Sequence, residues 1–338
     1  MTDTRYLVHG VFWDGPAPAS APAPAPAPVQ GESDAGRAVL RLQQVSGDDG
    51  GRTAPGAFTE LTLDAGTRLG FRVAADGKSC LGHSKVHGPA DRDHVSCPAR
   101  APAARGSQCE RCFVLDDSRL IHDFHRGGRV PPGLRAYLMQ PHWLYIATFA
   151  GGASKVGTAS HLRKWHRLAE QGAVVARYVA RADDGRVVRI LEDMVTRDAG
   201  LPQQVRSAAK AAALAGPAPA AGLDALNRRL AGEVRELLSR VPAGGFGIVD
   251  EPWLRPGLAE AACLVDGARA RAGRHPYPHA LDAGEHGFEV TSLSGSCALA
   301  GLAGTDLDFI VNLGLLKAKT IVLGDYGSDV PAVQESLF

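Results

Sequence analysis

"LYIATFAGGASKVGTASHLRKWHRLAEQGA", residues 144–173, decides how this chain is read. Leu144 to Ala150 is rich in aromatic and β-branched residues and reads as a strand; Ser154 to Ala159 reads as a second. Gly151 and Gly152 between them can take the positive φ that a hairpin loop needs. Ser160 is placed to cap a helix in which Leu162, Trp165, Leu168 and Ala169 recur with the spacing of a buried stripe. Arg163 and Arg167 lie four apart on the other side, with His166 beside them. Gly172 stands where a helix ends on a left-handed residue. Residues 173–182, "AVVARYVARA", then read as a strand, Asp183-Asp184-Gly185 as a turn, and "RVVRILEDMVTR" as a helix carrying Glu192.

Charge is concentrated in this segment. Between Lys155 and Arg189 there are eight Lys and Arg, opposed by Glu170, Asp183 and Asp184, although the net charge of the 338-residue chain is +1. A chain this close to neutral has no global attraction for polyanions, so any phosphate site is local. The competing reading of the same residues is a solvated helix face that happens to be basic.

The order strand, hairpin, strand, helix, strand, helix with a late acidic residue resembles the GIY-YIG nuclease superfamily. The resemblance implies a mixed α/β domain over residues 140–215 that cleaves DNA or RNA phosphodiesters. Tyr145 matches the first tyrosine, which helps to activate water. Lys155 stands at the second tyrosine, and Gly157 is the glycine that follows. Arg163 or Arg167 would steady the phosphate, and Glu192 would hold Mg²⁺ or Mn²⁺. Lys155, Lys164 and His166 are then the expected nucleic-acid contacts.

Of six cysteines, four lie in one stretch spaced Cys80-x16-Cys97-x11-Cys109-x2-Cys112. Four thiolates can close a tetrahedral structural zinc site, and Cys109 and Cys112 form a C-x-x-C half of one. His83, His87 and His94 are substitutes should one cysteine stay free. No thioredoxin-like βαβ unit surrounds the motif, which argues against a redox pair. Cys263 and Cys297 read as small core residues.

The remaining chain organises around these two features. Residues 1–75 read as a β-rich part, interrupted by the low-complexity spacer Pro16–Pro28. Residues 76–130 hold the cysteines, in a zinc-ribbon-like segment. "LRAYLMQPHWLYIATFA" reads as strand-rich and broken at Pro141. Residues 216–245 are helical, with Leu226, Leu230, Val234, Leu237 and Leu238 at helical spacing. Residues 246–338 return to glycine-punctuated strands, and the two β-rich ends are expected to pack together. The fold class is therefore α+β, with β-rich ends around a zinc-ribbon-like segment and a GIY-YIG-like domain. No long apolar run is present, so no membrane partner is expected and the default location is cytoplasmic.

The "C…CP…QCERC" spacing, "KVGTASHLRKWHRLAEQGA" and "GSCALAGLAGTDLDFIVNLGLLKAKTIVL" together resemble the uncharacterised domain-of-unknown-function family 2797. That resemblance spans roughly residues 60–325 and implies architecture without an established activity. The expected function is a zinc-containing nucleic-acid-binding protein with a nuclease-like domain. The alternative is a non-catalytic binding or interaction protein that keeps the fold and lacks the chemistry.

Overall fold

The computed structural model describes residues 4–15, 36–45, 56–74, 77–122, 124–242, 244–263 and 273–330. The Pro16–Pro28 spacer lies outside them. The described residues form a mixed, β-rich α+β structure. No helix among them is long and apolar enough to cross a membrane.

The two ends of the chain build one sheet. Strands β1 (Arg5–Asp14), β2 (Arg37–Val45), β3 (Phe58–Thr62) and β4 (Thr67–Val73) combine with four late strands and a short edge strand. The late strands are β12 (Glu285–Ser294), β13 (Cys297–Gly301), β14 (Asp308–Asn312) and β15 (Thr320–Leu323), and the edge strand is β11 (Arg274–Pro276). Their order is β11-β14-β13-β12-β4-β15-β1-β2-β3. β1 lies between β2 and β15, so an early strand sits in mid-sheet beside a late one.

The second sheet runs β10-β9-β7-β8, from β7 (His142–Thr148), β8 (Ser154–Ser160), β9 (Val175–Ala182) and β10 (Phe246–Pro252). Every residue of β7 is buried because the strand is covered on both faces. Trp143, Tyr145 and Ala147 face the core shared with the large sheet. Leu144 and Ile146 face helices α4 (Gly185–Ala199) and α6 (Ala220–Ser239). Helix α3 (Lys164–Gln171) packs against β7 and β8 on one side and β1 and β12 on the other. Its Trp165 is pressed onto Gly15 and Gly36; a Cβ at either would lie 2.1 Å from the indole.

One joint ties the two sheets together. Gly172, at φ 70°, ends α3, and Gly295, at φ 61°, turns β12 into β13. A Cβ on Gly295 would lie 2.8 Å from the Gly172 amide, and one on Gly172 would lie 3.0 Å from Ser294 Oγ. Both positions need the left-handed backbone and the absent side chain. Trp13 Nε1 donates to the Gly295 carbonyl at 2.9 Å and holds the turn in place.

Several expectations need correction. Leu134–Leu138, expected as strand, belongs to helix α2 (Pro132–Leu138): Pro132 opens it, and Leu134 and Leu138, four apart, bury against Val86. Ser160 does not cap α3. A 3₁₀ turn over His161–Arg163 intervenes, and Ser160 Oγ accepts from Tyr137 Oη at 3.2 Å. Residues 246–252, grouped with the tail, are β10 and pair with β9, so the central unit is not complete at residue 215. It also takes in α6, whose Ala231, Val234 and Leu238 cover the sheet.

Candidate metal centre and anion site

The cysteine segment forms the hairpin β5 (His83–Val86) and β6 (Arg92–Val95), followed by the short helix α1 (Glu110–Leu115). Cys80, Cys97, Cys109 and Cys112 come together with all four Sγ atoms within 4.8 Å of one another. A tetrahedral Zn–S bond of ~2.3 Å places sulfurs about 3.8 Å apart, so the cluster has the size of a four-thiolate metal site. None of the four is in a disulfide. Cys80, Cys97 and Cys112 are buried, and Cys109 caps α1. The Gly82 amide donates to Cys80 Sγ at 3.3 Å. Burial pushes the Cys80 and Cys112 thiols up, whereas the Cys112 amide draws Cys109 down to about 7. This cluster could hold a zinc ion. Two of the three histidine substitutes are engaged elsewhere, His87 pairing with Asp93 and His94 packing edge-on against His9 and Phe58, whereas His83 is buried with its Nδ1 unpartnered.

The second site lies over the β7–β8 hairpin. Tyr145 pairs across the ladder with Gly157, and its ring occupies the space a side chain there would take: a Cβ on Gly157 would lie 2.5 Å from Tyr145 Oη. The ring is fully buried, and Gln171 Nε2 donates to Oη at 3.1 Å. Burial raises the Tyr145 hydroxyl, while the Arg167 guanidinium beside it opposes that shift. Arg167 and Gln171, one turn apart on α3, therefore present one face to Tyr145.

Lys155 is the centre of the group. It is 7% exposed, its Nζ lies 5.6 Å from the centre of the Tyr145 ring, and it donates to the Gln203 carbonyl at 3.2 Å. Burial first, and Arg167 second, lower its ammonium to about 8; Glu192 opposes them, and Lys210 and Arg189 add to them. Glu192, 3% exposed on α4, is bonded to Arg189 at 2.5 Å, and burial raises its carboxyl. Lys210, from helix α5 (Ser207–Ala213), donates to the Gln171 carbonyl at 2.7 Å, and burial lowers its ammonium.

The structure thus gathers Tyr145, Lys155, Arg167 and Glu192, and leaves Arg163, Lys164 and His166 outside. Arg163 is bidentate to Glu170 at 2.7 Å. Lys164 is held by Glu251 at 2.6 Å and lies 3.3 Å over the Trp143 ring. His166 faces Asp14 and Arg163. The basic excess of the segment is also smaller in space than in sequence, because Arg177 pairs with Asp224 and Arg189 with Glu192. Gln171 and Arg189 complete the group, and both had a local signal: Gln171 is one turn after Arg167, and Arg189 belongs to the basic run and stands one turn before Glu192. Lys210, which had none, reaches only the Gln171 backbone carbonyl beside the group. Asn227 supports the hairpin from α6, where it is fully buried and donates to the Ile146 carbonyl and Thr148 Oγ1 at 3.1 and 3.0 Å.

This arrangement favours an anion. An anion near Lys155 restores the ammonium that burial and Arg167 weaken, so binding near pH 8 is expected to take up protons, about half of one at Lys155. The sign follows from the lowered value: free Lys155 sheds its proton as pH rises through about 8, while the bound form keeps it. Phosphate affinity should therefore be flat below that pH and fall by up to about tenfold per unit above it. Calorimetry in two buffers of different ionisation heat measures the uptake.

No protein-family model, no curated protein and no solved structure matches this chain.

Proposed function

We propose that this is a zinc-containing nucleic-acid-binding protein whose central unit is GIY-YIG-like and whose Lys155–Arg167 pair receives a backbone phosphate. Its overall resemblance to family 2797 and a cytoplasmic location belong to the same proposal. The observation that carries it is the convergence of Lys155 and Arg167 on one buried tyrosine, with Glu192 as the nearby carboxylate and Arg189 already bonded to it. A phosphodiester there would accept from the Arg167 guanidinium and the Lys155 ammonium.

The second reading is phosphodiester cleavage, favoured by Tyr145 lying beside both Arg167 and Glu192. The donor set does not fit Mg²⁺ or Mn²⁺ well. Glu192 is its single carboxylate, it is engaged by Arg189, and the surrounding side chains are cationic. Gln171, anchored on the buried Tyr145 hydroxyl, and Arg167 beside it would orient a phosphate oxygen, and the four-cysteine centre would hold the neighbouring segment in shape.

Fluorescence anisotropy with single-stranded and duplex DNA and RNA tests the binding. Arg167→Ala should weaken it about tenfold and lower its salt dependence. Arg163→Ala should change it less than twofold, because that arginine is spent on Glu170. Equal losses in the two variants would overturn the assignment. Incubation of the same oligonucleotides with Mg²⁺ or Mn²⁺ reads out cleavage. Products that vanish in Glu192→Ala establish the second reading, and salt-sensitive binding without products establishes the first.

A further inference from the structure

We propose that the cleft beside the Lys155–Arg167 pair is a second phosphate subsite, so that the protein recognises two consecutive phosphates of one strand. This rests on the phosphate reading of Lys155 and Arg167 and extends it. The cleft is open to solvent and lies between α3, α5 and the β12–β13 turn. Its polar wall is Ser207, Lys210, Ser294 and Ser296. Glu170 also lines it, already neutralised by Arg163.

Charge leads to the second phosphate. Lys155 feels Arg167, Arg189 and Lys210 on one side of the balance and Glu192 on the other, so four cations face one carboxylate. Lys155 is buried and Lys210 half-buried, and neither has a carboxylate at salt-bridge distance among the described residues. An ammonium withdrawn from water without a carboxylate partner, as at Lys155, is unfavourable until an anion arrives. One phosphodiester carries a single negative charge and leaves a surplus of two; a second, one nucleotide along, halves it.

The position of Lys210 fits this role. One of its three donors is used on the Gln171 carbonyl, whose side chain reaches Tyr145, and two donors remain. Gln171 thus separates the two subsites: its amide end lies at the Tyr145 hydroxyl and its carbonyl at Lys210. Around the cleft, three serine hydroxyls can each donate to a phosphate oxygen. The Cys297 thiol in the wall is raised to about 11 by burial and so stays neutral, adding no negative charge to oppose an anion. The Gly172–Gly295 joint fixes the serine-bearing turn against α3, so the spacing between the two subsites does not drift.

The test compares thymidine oligonucleotides carrying one phosphodiester (a dinucleotide) and two (a trinucleotide), with binding measured by calorimetry on the full chain. The wild type should bind the trinucleotide about tenfold more tightly. Lys210→Met should erase that gain and leave dinucleotide affinity within twofold. Because Lys210 also braces Gln171, Ser207→Ala/Ser296→Ala serves as the second variant, expected to remove most of the same gain. Equal affinity of the wild type for the two ligands would overturn the second subsite alone. So would loss of dinucleotide binding in both variants, or a gain that survives in both. A wild type that binds neither ligand would overturn the phosphate reading of Lys155 and Arg167, and this proposal with it.

Discussion

Cys112→Ser is expected to abolish binding of one zinc ion per chain and to unfold the segment from Lys78 to about Leu115, while the central sheet persists. The reason lies in how little else holds that segment. Around the metal site its apolar cluster is Cys80, Cys97, Cys112 and the partly buried Cys109, and beyond these its buried apolar side chains are Leu81 and Val86. β5 and β6 are four residues each, and β6 is wholly exposed. Such a stretch cannot offset its own ordering entropy by burying apolar surface. A structural zinc site contributes on the order of 10–16 kcal/mol of apparent binding energy, far more than these contacts supply. Leu81 packs against Leu7 and Ala318 of the large sheet, so loosening should spread to the edge of that neighbourhood and stop there. Metal analysis of purified protein gives the stoichiometry, and hydrogen exchange gives the extent. Amides of residues 78–115 should lose protection in Cys112→Ser or under a strong chelator, and those of β7 and β9 should keep it. Cys263→Ser, at a cysteine buried away from the cluster, should retain the metal. Unchanged protection in metal-free protein would remove the structural role.

The second large effect belongs to Gly157. Adding one methyl group there, Gly157→Ala, places carbon 2.5 Å from Tyr145 Oη, 2.6 Å from Cζ and 2.8 Å from Cε2. Tyr145 is fully enclosed and has no free volume to retreat into. Either the ring tilts off Gln171 or the β8 backbone moves, and the expected cost is about 1–3 kcal/mol. Anion binding should fall with it, because Arg167 and Gln171 are arranged around the hydroxyl. A double-mutant cycle separates this from a general weakening of the strand. In a Tyr145→Leu background the same substitution should cost less than about 0.5 kcal/mol, since the colliding atoms are gone. Full additivity in chemical denaturation would show that Gly157 serves the backbone and not the ring.

Local pattern revealed part of this architecture. The two strands flanking Gly151-Gly152, the left-handed end of α3 at Gly172, the helix of Glu192 and the clustering of four cysteines all leave traces within a few residues of one another. What failed depended on distance. Arg163 and Arg167 are equivalent as letters on a helix, and what separates them is Glu170 lying against the first and Tyr145 against the second. Lys164 looked available for phosphate until Glu251, from β10, closed on it. Lys210 stands in an alanine-rich run with nothing local to mark it, yet it reaches the Gln171 carbonyl 39 residues away in the chain. The stretch before Pro141 was misread because Leu134, Tyr137 and Leu138 satisfy a short strand as readily as two helical turns. β10 was assigned to the wrong part because its pairing partner is set by α6, which returns the chain to β9.

The place of β1 between β2 and β15 also bears on synthesis. A ribosome delivers β2 within seconds of β1, but Val322, the partner of Arg5, emerges roughly 300 residues later. Until then β1, β2 and β3, three of the nine strands, stand with one flank open to wrong partners, while the hairpin of Tyr145 can already form behind them. Closing so long a loop is slow. Maturation of the large sheet therefore ends at residues 5–7, where β1 waits for β15.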